Sequence, residues 1–178
     1  MKHLKYLMSV LLIAVTAQGF AQTDKETTVR IVGDKNFIFI ANSAMAMASM
    51  EISRIMTKMP GGQSAGTINL SGAQYDLKIT PDSIVAYLPY YGRSFNAPMD
   101  PTEGGIKFTS KDFTYQESKS KKGSYTIQIN TKDVKRENYR LTLNVSTNGY
   151  ATLNASSVNK QPITFNGYIS EPKKKEIK

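Results

Sequence analysis

Hydrophobic and polar residues alternate with a period of two along most of the chain after residue 66. In one such run, Tyr75, Leu77 and Ile79 are separated by single polar residues. The same alternation recurs at Ile106 and Phe108, Phe113 and Tyr115, Tyr125 to Ile129, and Tyr139 to Val145. Because successive side chains of a β-strand point to opposite faces, each run predicts a strand with one apolar face and one solvated face.

Short turn signals separate these runs. They are "SG" at 71–72, "TPD" at 80–82, "KKG" at 121–123, "TNG" at 147–149 and "NKQP" at 159–162. Such spacing is typical of hairpins, so sequence neighbours should pair antiparallel. A sheet of about nine strands with one apolar face tends to curl and close, which also removes exposed edges. The prediction is a mainly β fold, an antiparallel up-and-down β-barrel, with a β-sandwich as the alternative.

The segment before residue 67 has a different hydrophobic periodicity. "NFIFIAN" (36–42) predicts a strand, and "TDKETTVR" (23–30) is interpreted as a frayed or edge segment. In "NSAMAMASMEISRIMTKMPGG", Asn42 or Ser43 can cap a helix of about four turns that ends before Pro60. Its methionines either fill an ordinary core or form an adaptable ligand-binding face. One N-terminal amphipathic helix is therefore expected beside the sheet.

The N-terminus has the features of a secretory signal peptide. Lys2 and Lys5 precede an apolar run from Tyr6 to Ala17, and small residues follow. The run is shorter than the ~20 apolar residues that span a bilayer. Cleavage is expected after Ala21, and the chain has no cysteine to carry a lipoprotein anchor. We therefore expect a periplasmic or secreted protein with a signal peptide at 1–21, one barrel domain at 22–170, a basic tail at 171–178 and no membrane span.

The chain is basic, with a formal net charge of +9 from 23 basic and 14 acidic residues. Loss of Lys2 and Lys5 on cleavage leaves 21 basic residues and a net charge of +7. The positive charge lies in "KSKKG" (119–123), "KDVKRENYR" (132–140) and the tail, where solvated turns explain it without a nucleic acid. An anionic envelope component is the expected partner if the charge serves binding, and no nucleic acid is expected.

Several chemistries are excluded by composition. The only histidine, His3, leaves with the signal peptide, so the mature chain has neither histidine nor cysteine. Histidine-based triads, cysteine nucleophiles and zinc sites with nitrogen or sulfur ligands are therefore excluded. Carboxylates remain at Asp76, Asp82, Asp100, Glu103 and Asp112. Since carboxylates beside proline and glycine are ordinary turn formers, no catalytic residue, metal site or cofactor is predicted.

A long aromatic loop is the main candidate site. Residues 89–104, "PYYGRSFNAPMDPTEG", are unusually long for a hairpin connection. The candidate ligand-binding residues are Tyr87, Tyr90, Tyr91, Arg93 and Phe95. The arginine can stack on a ring or donate a fork of hydrogen bonds. The alternative is that the rings fold inward and seal one end of the barrel.

Several segments resemble an exported Bacteroidetes family, domain of unknown function 4251. They are "YDLKI", "DSIVAYLPYYGRS", "EGGIKF" and "TNGYATLNASSVNKQPITFNGYI". The element from Leu88 to Arg93 is similar to that family's most distinctive motif, and Asn148, Gly149 and Gly167 match its late turn and last strand. The resemblance implies an exported barrel of lipocalin-like shape and brings no activity or substrate with it.

Three functions follow as hypotheses. The first is a non-catalytic exported barrel that binds a small amphipathic ligand or an envelope component. The second is a structural or interaction protein of the cell envelope that uses its basic turns and tail. The third is a carboxylate hydrolase, which needs two carboxylates at working distance.

Overall fold

The computed structural model describes residues 23–46, 66–96, 104–135 and 137–172. The predicted signal peptide and residues 173–178 of the basic tail lie outside the described residues. In the described part of the chain, no helix has the length and apolar character needed to cross a bilayer.

One helix and ten strands form the described fold. Helix α1 is Lys25–Gly33. The strands are β1 Phe37–Ala46, β2 Thr67–Asn69, β3 Asp76–Ile79, β4 Ile84–Leu88, β5 Ile106–Ser110, β6 Phe113–Lys119, β7 Tyr125–Thr131, β8 Tyr139–Val145, β9 Tyr150–Ser157 and β10 Ile163–Ser170. The five predicted turns each connect two of these strands. Four of them join paired neighbours as predicted, but the turn at 71–72 does not, because β2 pairs with β1 and not with β3.

All ten strands belong to one antiparallel sheet with the order β5-β4-β3-β1-β10-β9-β8-β7-β6, and β2 pairs with β1 beside β3. The first long strand thus pairs with the last, as in an up-and-down barrel. The two edges of the sheet are β5 and β6, which are separated in the chain only by Lys111 and Asp112. The sheet therefore forms a nearly closed barrel, and the predicted fold class is confirmed.

Alternating side chains of the strands fill the interior of this barrel. The largest fully buried residues come from several strands and from α1: Phe37, Phe39, Phe165, Ile31, Leu77, Ile79, Ile84, Leu88, Ile106, Ile127, Ile129 and Leu141. These belong to a single apolar cluster. The inward face of the sheet is thus a packed core that supplies most of the stability.

Helix α1 lies where an edge segment was expected, so that prediction was wrong. Asp24 caps the helix, since its Oδ1 accepts a hydrogen bond of 2.7 Å from the backbone N–H of Thr27. Thr28, Ile31 and Val32 are buried on one side of it. Three inward positions are enough for a short helix because the barrel supplies the apolar surface on which they pack.

The predicted helix that begins at Asn42 or Ser43 was also misplaced. Residues 42–46 belong to β1, and residues 47–59 lie outside the described residues. Ala44 and Ala46 are buried against β10, whereas Ser43 and Met45 face outward. Pairing with β10 overrides the helix propensity of alanine and methionine, and "SAMAMA" alternates with period two as well as at helical spacing.

A β-bulge at Asn42 reverses which residues of β1 face inward. Ala41 pairs with Gly167 and Ser43 with Asn166, so Asn42 is the extra residue. Its carbonyl oxygen accepts a hydrogen bond of 2.8 Å from the N–H of Leu70. Before the bulge, Ile38 and Ile40 therefore point outward, and two aliphatic side chains lie on the outer wall of the barrel.

Candidate functional site

Tyr87 lies on the outer wall of the barrel, although it was predicted as part of a loop site. Its side chain on β4 is 47% exposed. The ring stacks on Tyr75 with a centroid distance of 5.9 Å, and the Nζ of Lys107 lies 5.2 Å from the Tyr87 centroid. These contacts hold the tyrosine between the start of β3 and the neighbouring strand β5.

Tyr90 follows the interpretation in which a ring closes the barrel end. It is half-buried and packs against the core. Its hydroxyl donates to the carbonyl oxygens of Arg93 and Gln161, at 2.6 and 3.1 Å. Burial raises the pKa of this hydroxyl above its ordinary value of 10.0.

The other candidate residues of the loop are exposed. Tyr91 is 45% exposed, Phe95 is 71% exposed, and Arg93 also lies at the surface. Backbone hydrogen bonds tie this part of the loop to the β9–β10 connection, from Phe95 N–H to Asn159 at 2.9 Å and from Gln161 N–H to Arg93 at 3.1 Å. The structure therefore does not gather the five predicted residues into one site, and residues 97–103 of the loop lie outside the described residues.

A buried charge cluster beside Tyr90 was missed by sequence reasoning. The Nζ of Lys160 donates to both carboxylate oxygens of Glu137, at 2.6 and 2.7 Å, and only 7% of the lysine side chain is exposed. The Tyr139 hydroxyl donates to the same carboxylate, and burial raises its pKa. Lys160 Nζ also lies 5.8 Å from the centroid of the Tyr90 ring. The cluster therefore anchors the start of the loop to the barrel end.

The predicted carboxylates have separate surroundings. Asp76 lies 3.7 Å from Lys78, Asp112 lies 3.7 Å from Lys132, and Asp82 is exposed in a turn. Asp100 and Glu103 lie outside the described residues. Within the described ranges, no group of three or more acidic, histidine or cysteine side chains is arranged to hold a metal ion.

Asp133 is an acidic residue with a structural role at the corner between β5 and β6. Its carboxylate accepts hydrogen bonds from the Ser110 hydroxyl and from the N–H groups of Lys111 and Asp112. The hydrogen bond from Ser110, followed by those from the backbone, lowers the pKa of Asp133 to about 2. Asp133 lies in the β7–β8 connection, so its carboxylate ties the corner between the two edge strands to that connection.

A groove on the outer wall lies beside Tyr75, the residue on which the Tyr87 ring stacks. It has a volume of about 440 Å³. Its lining residues come from β1, from the segment that leads into β3, and from the end of β10: Ile38, Ile40, Ala73, Gln74, Tyr75, Asp76, Lys78, Ser170, Glu171 and Pro172. We call this the outer groove.

The chemistry of the outer groove differs between its parts. Ile38 and Ile40 contribute aliphatic surface, and Tyr75 contributes an aromatic side chain. Asp76 and Lys78 form an ion pair beside it, and Glu171 pairs with Arg30 of α1. The sequence carried one signal for this groove, because "FIFI" is apolar at consecutive positions and therefore apolar on both faces of a strand.

A family model described as "Domain of unknown function (DUF4251)" matches residues 21–169. The chain belongs to the DUF4251 family. The family predicted from the sequence is thus confirmed. No curated protein matches this DUF4251 chain.

The DUF4251 chain is also similar to a solved structure, the crystal structure of a DUF4251 family protein from Bacteroides eggerthii DSM 20697. The two chains are 14% identical and superpose with a TM-score of 0.54, over 83% of this chain and 87% of the other. At this identity the likeness establishes the fold. The neighbour also supports the predicted link to the Bacteroidetes.

Proposed function

We propose that this DUF4251 protein is an exported, non-catalytic binding protein that holds a small amphipathic molecule in the outer groove. The observation that carries the proposal is the groove itself, which combines the partly exposed aliphatic side chains of Ile38 and Ile40 with charged neighbours. Its volume of about 440 Å³ lies within the range of small-molecule sites.

The inward residues of the barrel favour the outer wall over the interior as the place of binding. Phe39, Leu143 and Phe165 have no exposed surface, and the other residues of the buried core cluster are at most 9% exposed. A ligand in this part of the barrel would have to displace close-packed side chains. The outer groove needs no such rearrangement, because Ile38 and Ile40 are already half-exposed there.

The groove suits a molecule with an apolar body and a polar edge. The apolar body would cover Ile38, Ile40 and the Tyr75 ring, which removes apolar surface from water. The polar edge would meet the carboxylate of Asp76 and the ammonium group of Lys78. Because these two charges neutralise each other, the groove favours a ligand without net charge.

Two features of the sequence support the remaining parts of the proposal. The charged start, apolar run and small residues of the first 21 positions are typical of an exported protein. The absence of histidine and cysteine from the mature chain removes the cysteine nucleophile and the imidazole base, which favours binding over catalysis.

Native mass spectrometry of the protein purified from its own host tests this proposal. We expect a retained small molecule that is lost in the double variant Ile38→Thr, Ile40→Thr, which keeps β-branched side chains but removes the aliphatic surface. Val85→Thr is the matched control, since Val85 is a half-buried outward residue of β4 outside the groove. A wild-type protein without any bound mass, or equal retention by the double variant, would contradict the proposal.

A second candidate function is an interaction protein of the cell envelope. Phe95 and Val158 are 71% and 73% exposed, and the hydrogen bond from Phe95 N–H to Asn159 brings them to the same rim of the barrel. The positive net charge favours an anionic partner. A low-salt pull-down from the envelope fraction, with Phe95→Ser and with residues 171–178 removed, tests this candidate. Equal recovery by all forms would count against it.

A further inference from the structure

A second surface, which covers the outward side of β7 to β10, has a composition that the outer groove does not explain. In β7, β8, β9 and β10, the outward positions are almost all threonine, asparagine, glutamine, serine or tyrosine. Arg140 is the one charged residue among the outward positions of these four described strands. We call these outward residues the polar face. An uncharged face of this size is unexpected on a chain with a net charge of +9.

The strand register arranges the polar face in straight rows. In the first row, Thr126 pairs with Asn144, Asn144 with Thr152, and Thr152 with Asn166. In the next row, Gln128, Thr142, Asn154 and Thr164 follow one another in the same way. Neighbouring members of a row are about 4.8 Å apart, and rows are about 6.7 Å apart, because these are the spacings of a β-sheet. The face is therefore a regular lattice of amides and hydroxyls.

Hydrogen bonds within the first row orient its members. The Thr126 hydroxyl donates to Oδ1 of Asn144 at 2.9 Å, and the Thr152 hydroxyl donates to Oδ1 of Asn166 at 3.0 Å. Each threonine thus presents oxygen lone pairs, and each asparagine directs its Nδ2 hydrogens away from the threonine. The row therefore alternates acceptors and donors along its length.

The asparagines of this face act against strand formation. Asparagine is depleted in β-strands, yet Asn130, Asn144, Asn154 and Asn166 occupy outward positions in four consecutive strands. No asparagine occurs in β3, β4 or β5. Residue types whose propensity disagrees with the fold, and whose packing does not compensate for it, are expected mainly at functional surfaces.

A groove of about 450 Å³ crosses the first row, and Tyr150 lines one side of it. Tyr150 is 53% exposed and pairs directly with Tyr168 on β10. Two tyrosines at the edge of the lattice add rigid amphipathic contact area beside the hydrogen-bonding groups.

We propose that the polar face binds a neutral polysaccharide. Hydroxyl groups of a sugar both donate and accept, which matches the alternating acceptors and donors of the row, and the ring C–H groups can pack on tyrosine. An anionic polymer would need several cations, and the face supplies only Arg140. The extended lattice fits a chain of repeated sugar units better than a compact small molecule.

The mature protein, residues 22–178, is to be tested for binding to immobilised laminarin, mannan and dextran as neutral polysaccharides, with heparin and alginate as anionic ones. We expect binding to at least one neutral polysaccharide, changed less than twofold between 50 and 500 mM NaCl, since no ion pairs are involved. The double variant Asn144→Asp, Asn166→Asp should bind at least tenfold more weakly, because it keeps the shape and the Oδ1 acceptors but loses the Nδ2 donors.

The control variant carries Asn36→Asp and Thr109→Asp, two exposed residues outside the polar face that add the same charge. It should bind like the wild type, and circular dichroism should show all three proteins equally folded. Absence of binding to all three neutral polysaccharides, binding to the anionic polymers alone, or equal loss in both double variants would overturn the proposal. The outer groove is untouched in these variants, so the amphipathic ligand and the polysaccharide are tested independently.

Discussion

A Cβ atom on Gly167 would lie 1.8 Å from the carbonyl oxygen of Ile40. This contact is with backbone and occurs where β10 passes the bulge of β1. Only glycine allows the two strands to approach this closely. The same bulge separates the outward pair Ile38 and Ile40 from the residues that follow Asn42. Gly167 therefore indirectly keeps Ile38 and Ile40 in the lining of the outer groove.

Gly167→Ala should destabilise the protein strongly. A backbone carbonyl cannot rotate away as a side chain does, so β1 or β10 must shift, at a cost of about 3 kcal/mol or more. For a domain of this size, that corresponds to a fall in Tm of roughly 6–12 °C. Gly33→Ala is the control, because a Cβ there meets nothing within 4 Å. Equal Tm values for the two variants would show that β10 does not approach β1 this closely at Gly167.

Lys160→Met should leave the Glu137 carboxylate without its cation in a largely buried position. The expected loss of unfolding free energy is about 3 kcal/mol. Adding Glu137→Gln should recover part of that loss, since an amide still accepts from Tyr139 without a charge. Lys132→Met breaks an exposed pair and should change stability by less than about 0.5 kcal/mol. Urea unfolding of the wild type, these three variants and Glu137→Gln alone measures these differences, and strict additivity of Lys160→Met and Glu137→Gln would argue against a coupled pair.

The Asp133 carboxylate should make stability depend on acid pH. Its pKa is about 2 in the folded protein, against an ordinary value of 3.8, so the unfolded chain binds the proton more readily. The contribution is fully present above pH 4 and is lost as the pH falls toward 2. Asp133→Asn should therefore lose less stability than the wild type between pH 4 and pH 2.

Thermal unfolding across that pH range compares Asp133→Asn with Asp82→Asn, which removes an exposed carboxylate in the β3–β4 turn. The second variant controls for the change in net charge. If both variants follow the same pH curve, the hydrogen bonds from Ser110, Lys111 and Asp112 do not set the acid stability.

Tyr90→Phe should loosen the attachment of the aromatic loop. The variant keeps the ring but removes the hydroxyl that donates to Arg93 and Gln161, at a cost of about 1 kcal/mol. Hydrogen exchange of residues 93–96 should become faster, whereas the core strands stay protected. Tyr91→Phe is the control because Tyr91 is exposed. Unchanged exchange in Tyr90→Phe would mean that the hydroxyl does not hold the loop.

Five strands were predictable because each needs only its own alternation and the turns on either side: β3, β5, β6, β7 and β8. The two errors near the N-terminus arose where a local pattern allowed two structures. "SAMAMA" fits a strand as well as a helix, and only the pairing of Ala44 and Ala46 with β10 decides between them. The α1 segment buries only Thr28, Ile31 and Val32. These three residues stabilise a helix only when the barrel core is present for them to pack on.

The candidate site was less predictable because it depends on register. Tyr87 was identified from its aromatic neighbours in sequence, yet its partners are Tyr75, just before β3, and Lys107 on β5. Lys160 and Glu137 are 23 residues apart in segments that read as solvated turns. The rows of the polar face likewise exist only after β7 to β10 have been aligned, since no single strand contains two neighbours of a row.

The most direct test of binding on the outer wall is a ¹H–¹⁵N chemical-shift titration of residues 22–178 with octyl glucoside below its micelle concentration. This neutral amphiphile has the apolar body and polar edge that the outer groove suits. We predict the largest shifts at Ile38, Ile40 and Lys78, with the inward residues Leu141, Leu143 and Phe165 unchanged. Shifts concentrated at those three inward residues, with none at Ile38 and Ile40, would contradict a filled barrel that binds its ligand outside.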